Sequence, residues 1–111
     1  MSSELALANI RAKQVEATML PRAFELDELP TPALVVNKPA LEANIAKMAA
    51  HLHGHGKGFR PHAKTHKCPL ISRMQIEAGA VGVCAAKVSE AAALLHGGVS
   101  QILITSPIST L

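Results

Sequence analysis

Apolar positions along this chain alternate between two periods. Ala33-Leu34-Val35-Val36 is a short continuous apolar run with β-branched content, the pattern of a buried strand. Leu41, Ile45, Met48, Ala49 and Leu52 then recur at helical spacing and define one apolar face. Asn37 offers this helix an N-cap, Pro39 is tolerated in its first turn, and Gly54 and Gly56 end it. The spacing predicts a helix over 39–53. From Gly58 a repeat begins. Residues 59–63 read as a strand, and Cys68-Pro69 opens a helix over 68–78 with Leu70, Ile71, Met74 and Ala78 on one side, stopped by Gly79. Residues 82–86 form the next strand. Ser89 is expected to cap a helix over 88–96 holding Ala92, Ala93 and Leu95, stopped by Gly97-Gly98. Residues 101–105 complete the series around Ile102-Leu103-Ile104. Strands about twenty residues apart mark βα units in a parallel sheet.

Residues 1–30 read as an N-terminal extension. Leu5, Ala8, Ile10 and Val15 fit a short amphipathic helix ending at Leu20-Pro21, and Leu29-Pro30-Thr31-Pro32 is a stiff connector. The expected organisation is this extension and connector, then an α/β domain over 31–111. Parallel βα repeats close into an eight-stranded barrel or form an open doubly wound sheet. Three strands alone leave apolar edges unpaired. The chain is therefore expected to be the N-terminal portion of a longer (β/α)8 barrel, about three βα units of it. The alternative is a compact three-layer domain that oligomerises.

Composition adds a few limits. Apolar residues make up 49% of the 111, but aromatics only 2%, so the core must be built from Ala, Leu, Ile and Val. Such small aliphatic cores suit layered α/β packing. A net charge of +3 permits anionic ligands without demanding nucleic acid. Two cysteines, Cys68 and Cys84, are too few for a disulfide scaffold and read as reduced thiols in a cytoplasmic protein. The start of the chain lacks a secretory pattern, and no apolar window approaches the roughly 18 residues of a membrane span.

The chemistry concentrates in Arg60-Pro61-His62-Ala63-Lys64-Thr65-His66-Lys67. Lysine attacks carbonyls only as its neutral amine. Arg60 and Lys67, with any protonated His62 or His66, are expected to destabilise the Lys64 ammonium. In α/β folds the ligand site lies beyond the carboxyl ends of the strands. Three segments fall there: His62 to Thr65, Ala85 to Ser89, and Thr105-Ser106. Together they suit an aldehyde cofactor bearing a phosphate, with Lys64 as the nucleophile. His62, Thr65, Lys87 and Thr105 join it as candidate cofactor-binding residues. No metal site is expected from these residues. His51, His53 and His55 read as histidines favoured at a helix C-terminus, and Pro61 argues against a helical His62/His66 pair. A rival class is nucleic-acid binding along Lys57, Arg60, Lys64 and Lys67, but only Phe59 could stack on a base.

The segment Asp27 to Thr105 resembles the N-terminal half of the D-threonine aldolase and D-serine dehydratase family. These are pyridoxal-phosphate enzymes of the alanine racemase-like barrel class, fold type III. The resemblance is carried by residues 31–36, 41–48, 60–69, 79–91 and 98–104 in register, and most specifically by the Arg-Pro-His-x-Lys-Thr-His-Lys octet. It implies that Lys64 matches the Schiff-base lysine, and that the 33–36 strand belongs to a second, β-rich domain. It also implies a lyase acting on D-3-hydroxy amino acids, by retro-aldol cleavage or dehydration, and a homodimer at full length. The family's divalent-metal ligands and main phosphate-binding segments lie nearer its C-terminus and are absent here. This stretch alone is then expected to be inactive. A racemase-like enzyme and a non-catalytic pyridoxal-phosphate-binding protein remain as alternatives. The partners implied are small-molecule D-amino acids, with neither nucleic acid nor membrane.

Overall fold

The structure is a computed structural model that describes residues 25–109. The chain divides into two units, 1–35 and 36–111. The helix expected between Leu5 and Leu20 lies outside the described residues. In the first unit Leu26–Glu28 forms a 3-10 turn, and the Glu28 carboxylate accepts a hydrogen bond from the Glu25 N–H at 3.2 Å. The strand expected over 33–36 is not formed. Leu34 is fully exposed, and Val35 and Val36 are exposed as well. An apolar run becomes a strand only against a partner edge, and none of the described residues pairs with it.

The second unit contains α1 (Lys38–Gly54), α2 (Pro69–Glu77), β1 (Val83–Ala85), α3 (Val88–His96) and β2 (Ile102–Ile104). All three expected helices are present. Asn37 caps α1 by accepting from the Ala40 N–H at 3.0 Å. Leu41, Ile45, Ala49 and Leu52 are half-buried on its apolar face, whereas Met48 is exposed.

β1 and β2 pair in parallel, with Val83 opposite Ile102, Cys84 opposite Leu103 and Ala85 opposite Ile104. The strand expected over 59–63 is reduced to one parallel bridge between His62 and Cys84. The chain still tracks β1. The Val81 N–H donates to Phe59 O at 3.0 Å, the Cys84 N–H to Pro61 O at 2.8 Å, and the Ala63 N–H to Cys84 O at 2.8 Å. Pro61 explains the shortfall: its nitrogen carries no hydrogen, so the rung it would donate is missing. β1 is thus flanked on both sides.

All three β1 residues are buried. Val83 and Ala85 form the core with Ala63, Leu94 and Val99, and Ile76 of α2, Ala91 of α3 and Ile102 pack against it. The two helices therefore cover one face of the sheet. Strand alternation puts His62, Cys84 and Leu103 on the other face, where Leu103 is 53% exposed.

At the amino ends of the strands Gly82 adopts φ +142°. A Cβ there would run into the Arg60 guanidinium and the Gln101 carbonyl. Arg60 Nη1 donates to that same Gln101 carbonyl at 3.0 Å. At the start of α3 the expected Ser89 cap is not found. Lys87 holds the cap position without a side-chain bond, and Ser89 lies inside the first turn. Glu90 does the tethering instead: its carboxylate accepts from the Ala86 N–H at 2.6 Å and from the Lys67 ammonium at 3.3 Å. The Ala86 hydrogen bond, helped by Lys67 and opposed by burial, holds the Glu90 carboxyl below its ordinary 4.5. In the turn before α2, His66 Nδ1 accepts from the Cys68 N–H at 3.1 Å. Its Nε2 is buried without a hydrogen-bond partner. Burial pushes this imidazole below its ordinary 6.5, against smaller opposing effects of Gln75, Cys68 and Glu90.

Gly82→Ala should destabilise the fold by about 2–3 kcal/mol, through a disfavoured φ and a collision with backbone. A urea-unfolding midpoint unchanged by the substitution would rule out this role. Stability should also fall in two steps on acidification. His66 is held neutral in the folded state, so the unfolded chain protonates first as pH drops below 6.5 and stability declines. Glu90 contributes stability that is fully present above 4.5 and is lost as pH falls through its lower folded value. His66→Gln should remove the upper step alone, read from unfolding midpoints against pH. A midpoint flat between 6.5 and 4.5 in the parent chain would contradict the His66 assignment.

Candidate active site

Lys64 lies in the turn that follows the His62 bridge, at the carboxyl end of the sheet, and is exposed. Among the described residues its ammonium makes no hydrogen bond or ion pair. Its backbone is fixed: the Lys64 N–H donates to His62 Nδ1 at 3.2 Å. His62 Nε2 reaches over the end of β1 to Thr105 Oγ1 at 3.0 Å, and Thr105 Oγ1 donates to Ala85 O at 3.2 Å.

These contacts assign the histidine tautomer. The single hydroxyl hydrogen of Thr105 goes to Ala85 O, so the oxygen accepts from an Nε2–H. Nδ1 accepts from Lys64 and carries no proton. His62 is therefore oriented at both nitrogens, donating from Nε2 to Thr105 and accepting at Nδ1 from Lys64. Thr65 Oγ1 adds a long contact of 3.4 Å to His62 O. Four of the five expected residues, Lys64, His62, Thr65 and Thr105, are thus gathered at one place.

Lys87 stands apart. It is exposed at the start of α3 and lines an open cleft of ≈ 290 Å³ with Ser89, Ile104, Ser106 and Pro107. None of the other four candidates lines that cleft.

The charges expected to crowd Lys64 are engaged elsewhere. Arg60 is tied to Gln101 O, at the amino end of the strands. Lys67 is tied to Glu90. Neither is free to press on the Lys64 ammonium in the way its place in the octet implies. The residue that sequence reasoning missed is Glu90, only 8% exposed. An acidic side chain three positions into a helix was the available signal.

The remaining candidates have structural surroundings. His55 Nδ1 lies 2.7 Å from His51 O at the end of α1, and the two rings are 4.5 Å apart. Among the described residues no three of His, Cys, Asp and Glu are grouped so as to hold a metal ion. Cys68 and Cys84 are both free; Cys84 is buried in β1, with its Sγ 3.5 Å from Arg60 O.

No family model matches the chain. Over 82 residues, 73% of this chain, it is 42% identical to the 3-hydroxy-D-aspartate aldolase of Paracoccus denitrificans, and it spans 21% of that protein. Among solved structures, D-threonine aldolase from Filomicrobium marinum superimposes with a TM-score of 0.68 at 44% identity, over 71% of this chain and 21% of that one. A metal-free variant of D-threo-3-hydroxyaspartate dehydratase superimposes with a TM-score of 0.73 at 31% identity, over 78% of this chain and 23% of that one. By sequence and by structure, the chain is therefore a homologue of 3-hydroxy-D-aspartate aldolase, D-threonine aldolase and D-threo-3-hydroxyaspartate dehydratase, spanning about a fifth of the length of each.

Proposed function

We propose that this chain supplies the lysine-bearing part of a pyridoxal-phosphate-dependent lyase that acts on D-3-hydroxy amino acids by retro-aldol cleavage or dehydration. The observation that carries this reading is Lys64: an exposed amine, unpaired among the described residues, at the carboxyl end of parallel strands, on a turn whose backbone is fixed by His62. Kinship with two aldolases and a dehydratase supports the reaction class.

The residues present fit the cofactor. When bound, pyridoxal phosphate supplies an aldehyde for the lysine and an electron-withdrawing ring for the substrate's α-carbon. Lys64 offers the only amine of the octet that is both exposed and free of a carboxylate partner among the described residues. His62 donates from Nε2 to Thr105 Oγ1 and accepts the Lys64 N–H at Nδ1, so it orients the turn. Thr65 and Thr105 place hydroxyls beside that histidine. Lys87 and Ser106, in the adjacent cleft, are the cationic and hydroxyl groups open to an anionic substituent.

Continuation of the βα pattern past β2 would make this segment part of a (β/α)8 barrel. One-sided helix packing and an open β2 edge support that reading. Two unpaired cysteines fit a reducing, cytoplasmic setting. Among the described residues no helix is long and apolar enough to cross a membrane.

Incubation with pyridoxal phosphate, borohydride reduction and peptide mapping should place the reduced pyridoxyl group on Lys64. Lys64→Ala should abolish it, while Lys67→Ala should weaken labelling without moving it. Mapping to Lys67 or Lys87 instead would show the nucleophile to be misassigned. A chain extended to its relatives' length that labels at Lys64 yet leaves D-3-hydroxy amino acids intact would identify a non-catalytic cofactor carrier.

A further inference from the structure

We propose that Glu90 is the positioning residue of the Lys64 turn, and that it acts through Lys67. This rests on the assignment of Lys64 above and adds a residue from the neighbouring helix.

The turn has two ends, and each is held differently. At the near end His62, braced by Thr105, accepts the Lys64 N–H. At the far end Lys67 adopts φ +50°, the left-handed region that side-chain-bearing residues avoid. Two bonds keep it there. Its N–H donates to Ala63 O at 2.8 Å, and its ammonium reaches Glu90 Oε1 at 3.3 Å. Ala63 is itself fully buried. The other oxygen of Glu90 is occupied by the Ala86 N–H at 2.6 Å. One carboxylate thus joins the first turn of α3, the end of β1 and the turn that carries Lys64.

Ion pairs between exposed groups contribute little. This pair differs because the Glu90 side chain is only 6% exposed, against 66% for Lys67. A carboxylate this enclosed, with one oxygen fixed by a backbone N–H, presents the other in one direction. Lys67 must come to it, and the backbone of the turn follows. If Glu90 served only to tether α3, glutamine would replace it: the amide oxygen can still accept from Ala86. Its NH2 group would then face the Lys67 ammonium, donor against donor, and the turn would be released.

The test uses Glu90→Gln, Lys67→Met and the double variant of this chain, with two readouts. Amide hydrogen exchange is followed at Lys67 and Ala86. Borohydride trapping of pyridoxal phosphate is followed as the ratio of Lys64 to Lys87 labelling within one sample. In Glu90→Gln the Ala86 amide should stay protected, the Lys67 amide should exchange about tenfold faster, and the labelling ratio should drop about fivefold, as expected for coupled neighbours. Lys67→Met should lower the ratio equally, and the double variant should be no worse than either single one. A Lys67 amide that stays protected in Glu90→Gln overturns the proposal. So does loss of protection at Ala86 and throughout the core, which would make Glu90 a tether of α3 alone. So do additive effects in the double variant. If the parent chain labels Lys64 and Lys87 alike, the assignment of Lys64 fails, and exchange at Lys67 alone decides whether Glu90 holds the turn.

Discussion

β1 is three residues long and wholly buried, so its backbone groups must find partners on both sides. This requirement organises the unit. The Val83 N–H goes to Gln101 O at 2.8 Å on one flank, and the Cys84 N–H to Pro61 O at 2.8 Å on the other. Ala85 O receives both the backbone N–H and the hydroxyl of Thr105. The Ala86 N–H, just past the last rung, is taken by Glu90. Each satisfied group fixes a residue that matters to the site. Thr105 is placed to brace His62, and Glu90 is placed to reach Lys67. The turn with Lys64 is thus shaped by the hydrogen-bond demands of a strand it does not belong to.

Much of this was legible in the order of residues. Gly54, Gly79 and Gly97-Gly98 stop helices, Asn37 starts one, and the helical spacing between them is clear. His62 to Thr65 stand at the carboxyl end of the sheet, as the strand-like residues before them imply. Local reasoning failed where the deciding partner is remote. Residues 33–36 have the composition of a strand but no paired edge. Residues 59–63 lie beside β1, yet Pro61 breaks the ladder to a single bridge. Ser89 has the right chemistry for a cap, but Glu90 reaches farther and also meets Lys67.

Geometry separates two of the charges that the octet lists side by side. Arg60 precedes the His62 bridge along β1, whereas Lys64 lies in the turn after it. They stand at opposite ends of the sheet, and Arg60 is bound to a carbonyl at its own end. Sequence proximity would have meant spatial proximity on a helix, but Pro61 makes that conformation unfavourable for Arg60.

The surroundings of Lys64 bear on the role proposed for it. A lysine amine is favoured over its ammonium by nearby positive charge or by loss of solvation. Here Lys67 is paired with Glu90, and His62 is engaged with Thr105 and the Lys64 N–H. Loss of solvation is not provided by the described residues, which leave Lys64 exposed. What these residues do provide is orientation: a turn fixed at both ends, with the amine left unpaired. The matched segment covers about a fifth of the length of each of these relatives. The described segment thus sets where the amine stands: His62 holds the near end of the turn and Lys67, through Glu90, the far end.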